Sequence, residues 1–342
     1  MVRIMSQNRI VLFDVAKAFA IILVVIGHSS TNIRIVNFIY LFHVPLFYFI
    51  SGYFYKDEYS KNTFDFFCKK IKHLYIPFIK YEFIFMLLHN TLLDLHIYDI
   101  STIPYYNLPD YLPRIAQILT FRQTELIAYP FWFIGSLFIV NIIFVLISKI
   151  TDIFKAREVF RSLFVLFIVF IGFITVDNHL IYKNNLNASL ICLSFYYFGY
   201  MVKNNIEKIR FNNFLLIIAL AILIVSSNYR IDVSTEKYIT PIFFMINSLC
   251  GINFILFISH KISQYNFKVL NYIGKNTMII MALQYLGFAI GKICTSQYSV
   301  TLFSCSWIII SACGLFIPLL INYILNTCNI DTASLTFRND KI

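Results

Sequence analysis

The sequence predicts an all-α fold: a polytopic integral membrane bundle of about ten transmembrane helices, with both termini on the cytoplasmic side. Three observations carry this. Hydrophobic residues make up 59% of the 342-residue chain and charged residues only 13%, whereas soluble domains carry about 25% charged residues; lipid must cover the rest. Apolar runs near the ~20 residues that a helix needs to cross a bilayer recur along the chain. The basic residues between those runs alternate in density, as topology signals do.

The first run, 11–29, ends in a polar Gly27-His28-Ser29-Ser30 without a small-residue cleavage site, so it is expected to stay as a span. The second, 36–55, tolerates Pro45 because proline fits a first helical turn. The third, 74–92, carries Pro77 near its start and Lys80 and Glu82 within it. Further spans are expected at 130–149, 160–177, 187–202 (the shortest), 211–228, 239–259, 271–291 and 300–324. With the N-terminus inside, inner segments hold 19 Lys and Arg against seven outside. That bias supports an even number of spans. Residues 1–330 read as a single membrane domain and 331–342 as a short cytoplasmic tail.

The net charge of +11 comes from short loops between spans, so it marks topology and argues against nucleic acid as a partner; membrane lipids are the partner it implies. The seven cysteines form no CxxC pair and no metal-ligand spacing, and most sit in apolar runs as small hydrophobes. No metal site and no permanently bound cofactor is expected. The long outer segment 93–129 sets Tyr105, Tyr106 and Tyr111 beside Asp94, Asp99, Asp110 and Glu125. Such a mixture suits either sugar binding or an interfacial loop with belt tyrosines.

Ionisable groups within spans cost at least ~2.5–3.5 kcal/mol each at a helix centre and are the first candidates for function. Asp14 and Lys17, three residues apart, can pair on one helix face. His28 follows Lys17 by eleven residues, almost three whole turns, so the two share a stripe ~16 Å apart along the axis. A long donor anchored by phosphates on the inner side could reach His28, and imidazole is the natural general base near neutral pH. The alternative is a topology-setting lysine and a polar helix end. His43 lies near the outer end of the second span, where Ser51 and Gly52 permit close helix approach. Lys69, Lys70 and Lys72 form a basic run suited to donor phosphates or to anionic headgroups. Lys80 and Glu82 are expected to find partners on other helices. His73, His89, His96, His179 and His260 read as interfacial or loop residues.

Taken in order, these segments resemble the acyltransferase 3 family of bacterial membrane O-acyltransferases, over most of the chain. FDVAKAFAIILVVIGH (13–28) looks like its first-helix pattern, a basic residue, ten residues and a histidine, here Lys17 and His28. FHVPLFYFISGYFYK (42–56) is similar to the second-helix signature and covers His43, Pro45, Ser51 and Gly52. KKIKHLYIPF (69–78) resembles the basic-then-proline entry to the third helix. PFWFIGSLF (130–138) looks like a motif centred on Trp132, and IGKNTMIIMALQYLG (273–287) like a late-helix motif with Gly274, Lys275 and Asn276. Gln284 departs from the pattern, since many relatives carry a histidine there; glutamine exchanges hydrogen bonds but cannot shuttle protons near neutral pH.

The resemblance implies an enzyme of the bacterial inner (plasma) membrane that moves an acetyl, or another acyl, group from cytoplasmic acyl-CoA to a hydroxyl of a lipid-linked or surface glycan. Acetyl-CoA or another acyl-CoA would be a co-substrate. His28, Lys17 and Asp14 would form the catalytic set. His43, Ser51, Lys69, Lys70, Lys72, Glu82, Trp132, Lys275, Asn276 and Gln284 would hold donor or acceptor. No appended esterase-like domain is expected, which fits a membrane-only enzyme. The rival readings are a flippase or transporter of lipid-linked sugars, for which no inverted repeat is found, and a glycan polymerase. The oligomeric state is not encoded in any motif.

Overall fold

The computed structural model describes residues 2–178, 180, 185–203, 212–265, 267–296 and 306–328, with side chains from residue 11 onward. The expected tail 331–342 lies outside these residues, as do His179, Cys305 and the start of the last expected span.

The described residues are mostly helical, with an isolated bridge between Asp232 and Lys237. In order, the helices are α1 (Val2–Ser29), α2 (Ile33–Tyr40), α3 (His43–Tyr53), α4 (Glu58–Lys61), α5 (Thr63–Lys70), α6 (Ile76–Asp94), α7 (Leu108–Leu119), α8 (Trp132–Thr151), α9 (Arg157–Asp177), α10 (Leu186–Val202), α11 (Asn213–Ser226), α12 (Pro241–Ser263), α13 (Lys268–Lys275), α14 (Thr277–Ser296) and α15 (Ser306–Thr327). A π turn, Ile71–Tyr75, leads into α6, and a 3-10 segment, Leu126–Phe131, leads into α8.

Among the described residues seven stretches are long and apolar enough to cross a membrane: Val11–Ser29, Ile33–Tyr53, Leu126–Thr151, Arg157–Asp177, Pro241–Ser263, Thr277–Thr295 and Ser306–Thr327. The other three expected spans are also helical but fall outside that set. Helices α10 and α11 have 17 and 14 residues, or about 26 and 21 Å at ~1.5 Å per residue, short of a ~30 Å hydrocarbon core. Helix α6 is 19 residues long but carries Lys80, Glu82, His89 and Asn90.

The second expected span is broken at Leu41–Phe42 into α2 and α3. Pro45 is the cause. It has no N–H for the carbonyl four residues back, which belongs to Leu41, and its ring crowds that carbonyl. The Leu41 carbonyl instead accepts from Ser248 Oγ of α12 at 2.8 Å. Gly251, one turn further along α12, makes room for the Phe42 ring, which a Cβ there would strike. The long segment 93–129, expected as a loop, contains the amphipathic helix α7. Pro109 starts that helix, and Asp110 Oδ2 accepts from the Asn107 N–H at 2.8 Å.

The described residues form two compact units. The first comprises the chain up to Lys69 together with Ser136–Lys275; the second comprises Lys70–Gly135 and the chain from Asn276 onward. In the first unit, α3 and α10 approach backbone to backbone. A Cβ on Gly52 would collide with the Tyr196 carbonyl, and one on Gly199 with the Phe49 carbonyl. Glycine at such crossings lets helices gain van der Waals contact, which drives their association in lipid. Tyr48 Oη donates to Ser136 Oγ at 2.6 Å, Ser136 is bonded to Ser189 at 2.7 Å, and Tyr196 Oη donates to Asn141 Oδ1 at 3.0 Å. In the second unit α14 and α15 pack through Gly287, Gly291 and Gly314. Asn322 Nδ2 donates to Asn276 Oδ1 at 2.9 Å.

Candidate active site

The first unit gathers two of the predicted imidazoles at one place. His28 ends α1, Tyr40 ends α2 and His43 begins α3 just past the break. The Tyr40 ring centroid lies 6.1 Å from that of His28, edge-on, and 4.8 Å from that of His43. His28 Nδ1 is 3.4 Å from Tyr40 Oη, and His43 Nδ1 is 2.9 Å from the Ile39 carbonyl. Since that carbonyl can only accept, the His43 proton sits on Nδ1. Gly27 allows the approach: a Cβ there would stand 3.2 Å from Ile39 Cγ2 and 3.3 Å from Tyr40 Cε2. His43 is buried and His28 half-buried.

Three residues that sequence reasoning passed over complete this cluster. Tyr40 is one. The other two come from the turn between α11 and α12, where the Arg230 guanidinium carbon lies 3.9 Å above the Tyr40 ring and Arg230 Nη2 donates to Asp232 Oδ2 at 3.2 Å. Asp232 Oδ1 accepts from Ser234 Oγ at 2.6 Å and from Ser234 N at 3.1 Å. Asn37 Nδ2 ties the start of the turn to α2 by donating to the Ser227 carbonyl at 3.0 Å. From the sequence Arg230 was one of the sparse outer cations. Its one signal was the Arg-x-Asp spacing after an apolar run, too common to single it out.

Lower on α1, Lys17 Nζ meets Asp14 Oδ1 at 2.7 Å. Asp14 is buried, while the Lys17 side chain is 29% exposed. Gly274 of α13 seats against the Asp14 carbonyl, which any Cβ would strike. Exposed Lys275 is the next residue, so α13 brings a second cation near the Asp14–Lys17 level.

Other predicted residues are placed differently. Ser51 is half-buried beside the Gly52 crossing, a packing position. Lys69 is exposed and donates to Tyr59 Oη at 3.3 Å; Lys70 ends α5 half-buried, and Lys72 is exposed on the π turn.

Glu82, Trp132, Asn276 and Gln284 belong to the second unit. Glu82 is fully buried, but its partner is not another helix. Its Oε2 accepts from Thr124 N at 3.0 Å and Thr124 Oγ1 at 3.1 Å, both in the extended stretch before the 3-10 segment. Trp132 is half-buried, edge-on to Phe133. Gln284 is fully buried; its Nε2 donates to the Met281 carbonyl at 3.2 Å, and its Oε1 has no hydrogen-bond partner among the described residues.

His89, expected at an interface, is buried and central to a closed cluster in the second unit. Its Nδ1 meets Glu125 Oε2 at 2.9 Å and its Nε2 the Pro104 carbonyl at 3.1 Å. The ring stacks on Tyr106 with centroids 3.3 Å apart. Glu125 also accepts from Tyr98 Oη at 3.1 Å and Tyr106 Oη at 2.9 Å. Burial chiefly pushes both phenols up, Tyr106 to about 12, so both remain donors. Tyr105 Oη donates to Asp94 Oδ1 at 2.8 Å. Several aromatics and acids of segment 93–129 thus satisfy one another, which favours the structural reading of this segment over an open sugar site.

Among the described residues no group of three or more His, Cys, Asp or Glu is placed to hold a metal ion. A family model described as an acyltransferase domain matches residues 10–327, nearly the whole chain. Neither the curated proteins nor the solved structures gave a match.

Proposed function

Because the chain belongs to the acyltransferase 3 family, and is a helical protein with several apolar helices long enough to cross a membrane, we propose that it transfers an acyl group, acetyl first among them, from cytoplasmic acyl-CoA to a glycan hydroxyl. The observation that carries this reading is the pairing, on α1, of a partly exposed Lys17 held by Asp14 with an imidazole cluster at His28, ~16 Å further along the axis. The donor is long and anionic at one end. Lys17, Lys275 and Lys69 of the first unit would engage its phosphates, and the thioester would extend toward His28.

The chemistry follows from that placement. In the tautomer that donates from Nδ1 to Tyr40 Oη, 3.4 Å away, the His28 lone pair would be on Nε2. That nitrogen takes the proton of the acceptor hydroxyl as the oxygen attacks the thioester carbonyl. The carbon–sulfur bond then breaks, the departing thiolate takes the proton from the imidazolium, and an O-acyl ester is left on the sugar. General-base assistance of this kind is worth ~10²–10⁴-fold. His43, locked by Ile39, would hold Tyr40 and so orient His28. Asp14 would fix the Lys17 ammonium. The cytoplasmic termini, the ten-span count and the inner-membrane location belong to the same proposal.

Mass spectrometry of surface glycan from cells lacking this gene tests the reading. Loss of acetyl or other acyl mass units, with chain length preserved, is the expected result. Shortened or missing chains with acylation intact would instead point to polymerisation or export.

A further inference from the structure

We propose that Arg230 and Asp232 form the acceptor subsite of the His28 centre and read two neighbouring hydroxyls of an uncharged sugar ring. This rests on the acyl-transfer reading for its purpose, but the binding chemistry stands on its own.

The pair is built for that task. The guanidinium carbon lies over the Tyr40 ring, 3.9 Å from its centroid, and arginine presents its N–H donors in a rigid planar fork. Of its five donors, one is spent on Asp232. The Asp232 carboxylate offers about four lone-pair directions. Ser234 takes two and Arg230 one, so one acceptor site is left beside a row of donors. A vicinal diol needs this combination, with one hydroxyl accepting from the guanidinium and the other donating to the carboxylate. The pair is open to a ligand, with the Arg230 side chain 38% and Asp232 14% exposed. It is also adjacent to the chemistry, since the ring that carries Arg230 is the one flanked by His28 and His43.

The sign of the charge selects the class of sugar. Asp232 offsets Arg230 and would repel a carboxylate or phosphate brought within hydrogen-bonding range. An arginine meant to grip an anionic sugar would lack that neighbour. Neutral hexoses and N-acetylhexosamines fit; uronic acids and phosphorylated sugars do not.

The test uses purified full-length protein in lipid nanodiscs. Retention is measured on immobilised oligosaccharides of neutral glucose units and of glucuronate units, and acetyl-CoA binding is measured separately. Wild-type protein is expected to retain the neutral series over the acidic one. Arg230→Met and Asp232→Asn should each weaken neutral retention about tenfold or more, the scale of a hydrogen bond to a charged group, and leave acetyl-CoA binding unchanged. Arg230→Lys, which keeps the charge but loses the planar fork, should fall in between. Asp232→Asn should also raise retention of the glucuronate series. Equal retention by Arg230→Met, preference of the wild type for glucuronate, or no retention of either series would overturn the subsite. Failure of the acyl-transfer reading would appear elsewhere, as absence of transfer from acetyl-CoA with the retention pattern intact.

Discussion

His43 donates its Nδ1–H to the carbonyl of Ile39 at 2.9 Å, across the break that Pro45 forces between α2 and α3. The bond locks the imidazole and, with it, the Tyr40 ring 4.8 Å away. In this account His43 acts through Tyr40 and does not touch the reacting atoms. His43→Ala should lower the transfer rate by roughly tenfold, less than the ~10²–10⁴-fold of a lost general base, without changing the Michaelis constant for acyl-CoA. Steady-state kinetics with varied donor distinguishes this from a donor-binding role, which would move that constant instead.

Lys17 is held by Asp14 at 2.7 Å yet keeps part of its surface open. If its ammonium meets the donor, Lys17→Ala should raise the Michaelis constant for acyl-CoA by about tenfold, the ~1.4 kcal/mol of one charge-assisted contact. The constant for the glycan should be unaffected, and Lys17→Arg should retain most of the donor affinity. An unchanged donor constant in Lys17→Ala would remove this residue from the donor path.

Arg161 is buried in the first unit and gathers Asp152 at 3.1 Å, Glu158 at 3.1 Å, Asp57 at 3.8 Å and the Tyr200 hydroxyl. Removing it leaves three carboxylates facing one another. The expected loss for Arg161→Ala is about 2–3 kcal/mol, below the ~3–5 kcal/mol of a fully buried pair because the carboxylates are 30–51% exposed. Thermal unfolding in detergent reads this loss, and transfer per folded molecule should be retained.

The Glu125 cluster clamps segment 93–129 onto α6. The raised phenols of Tyr98 and Tyr106 favour the folded state wherever they stay protonated. Their contribution is therefore complete below the ordinary phenol value of about 10 and is lost as pH climbs toward about 12. Limited proteolysis of this segment should be slow at neutral pH and accelerate above that ordinary value. Glu125→Ala, which removes the shared acceptor, should bring the fast cleavage to neutral pH at a cost of about 2–4 kcal/mol.

Much of this was legible in the sequence, because lipid imposes simple rules. Apolar run length located the seven helical stretches long enough to cross a membrane, and period counting placed Asp14 beside Lys17. Pro45 hinted at the break, but the acceptor of the freed carbonyl, Ser248, lies 207 residues away and no local pattern announces it. Tyr40, Arg230 and Asp232 escaped for the same reason: their meaning arises only when the turn after α11 folds over α2. Glu82 misled in a different way. A buried carboxylate calls for a partner, yet the partner proved to be backbone and hydroxyl of Thr124, which carries no charge for a sequence pattern to flag.

In the proposed mechanism the His28 imidazole removes the acceptor proton. Transfer of labelled acetyl from acetyl-CoA to purified surface glycan, catalysed by nanodisc-embedded protein, tests it most directly when wild type is compared with His28→Ala. The expected result is a fall of ~10²–10⁴-fold, with acetyl-CoA binding and thermal unfolding unchanged. Activity of the variant within a few-fold of wild type would contradict it.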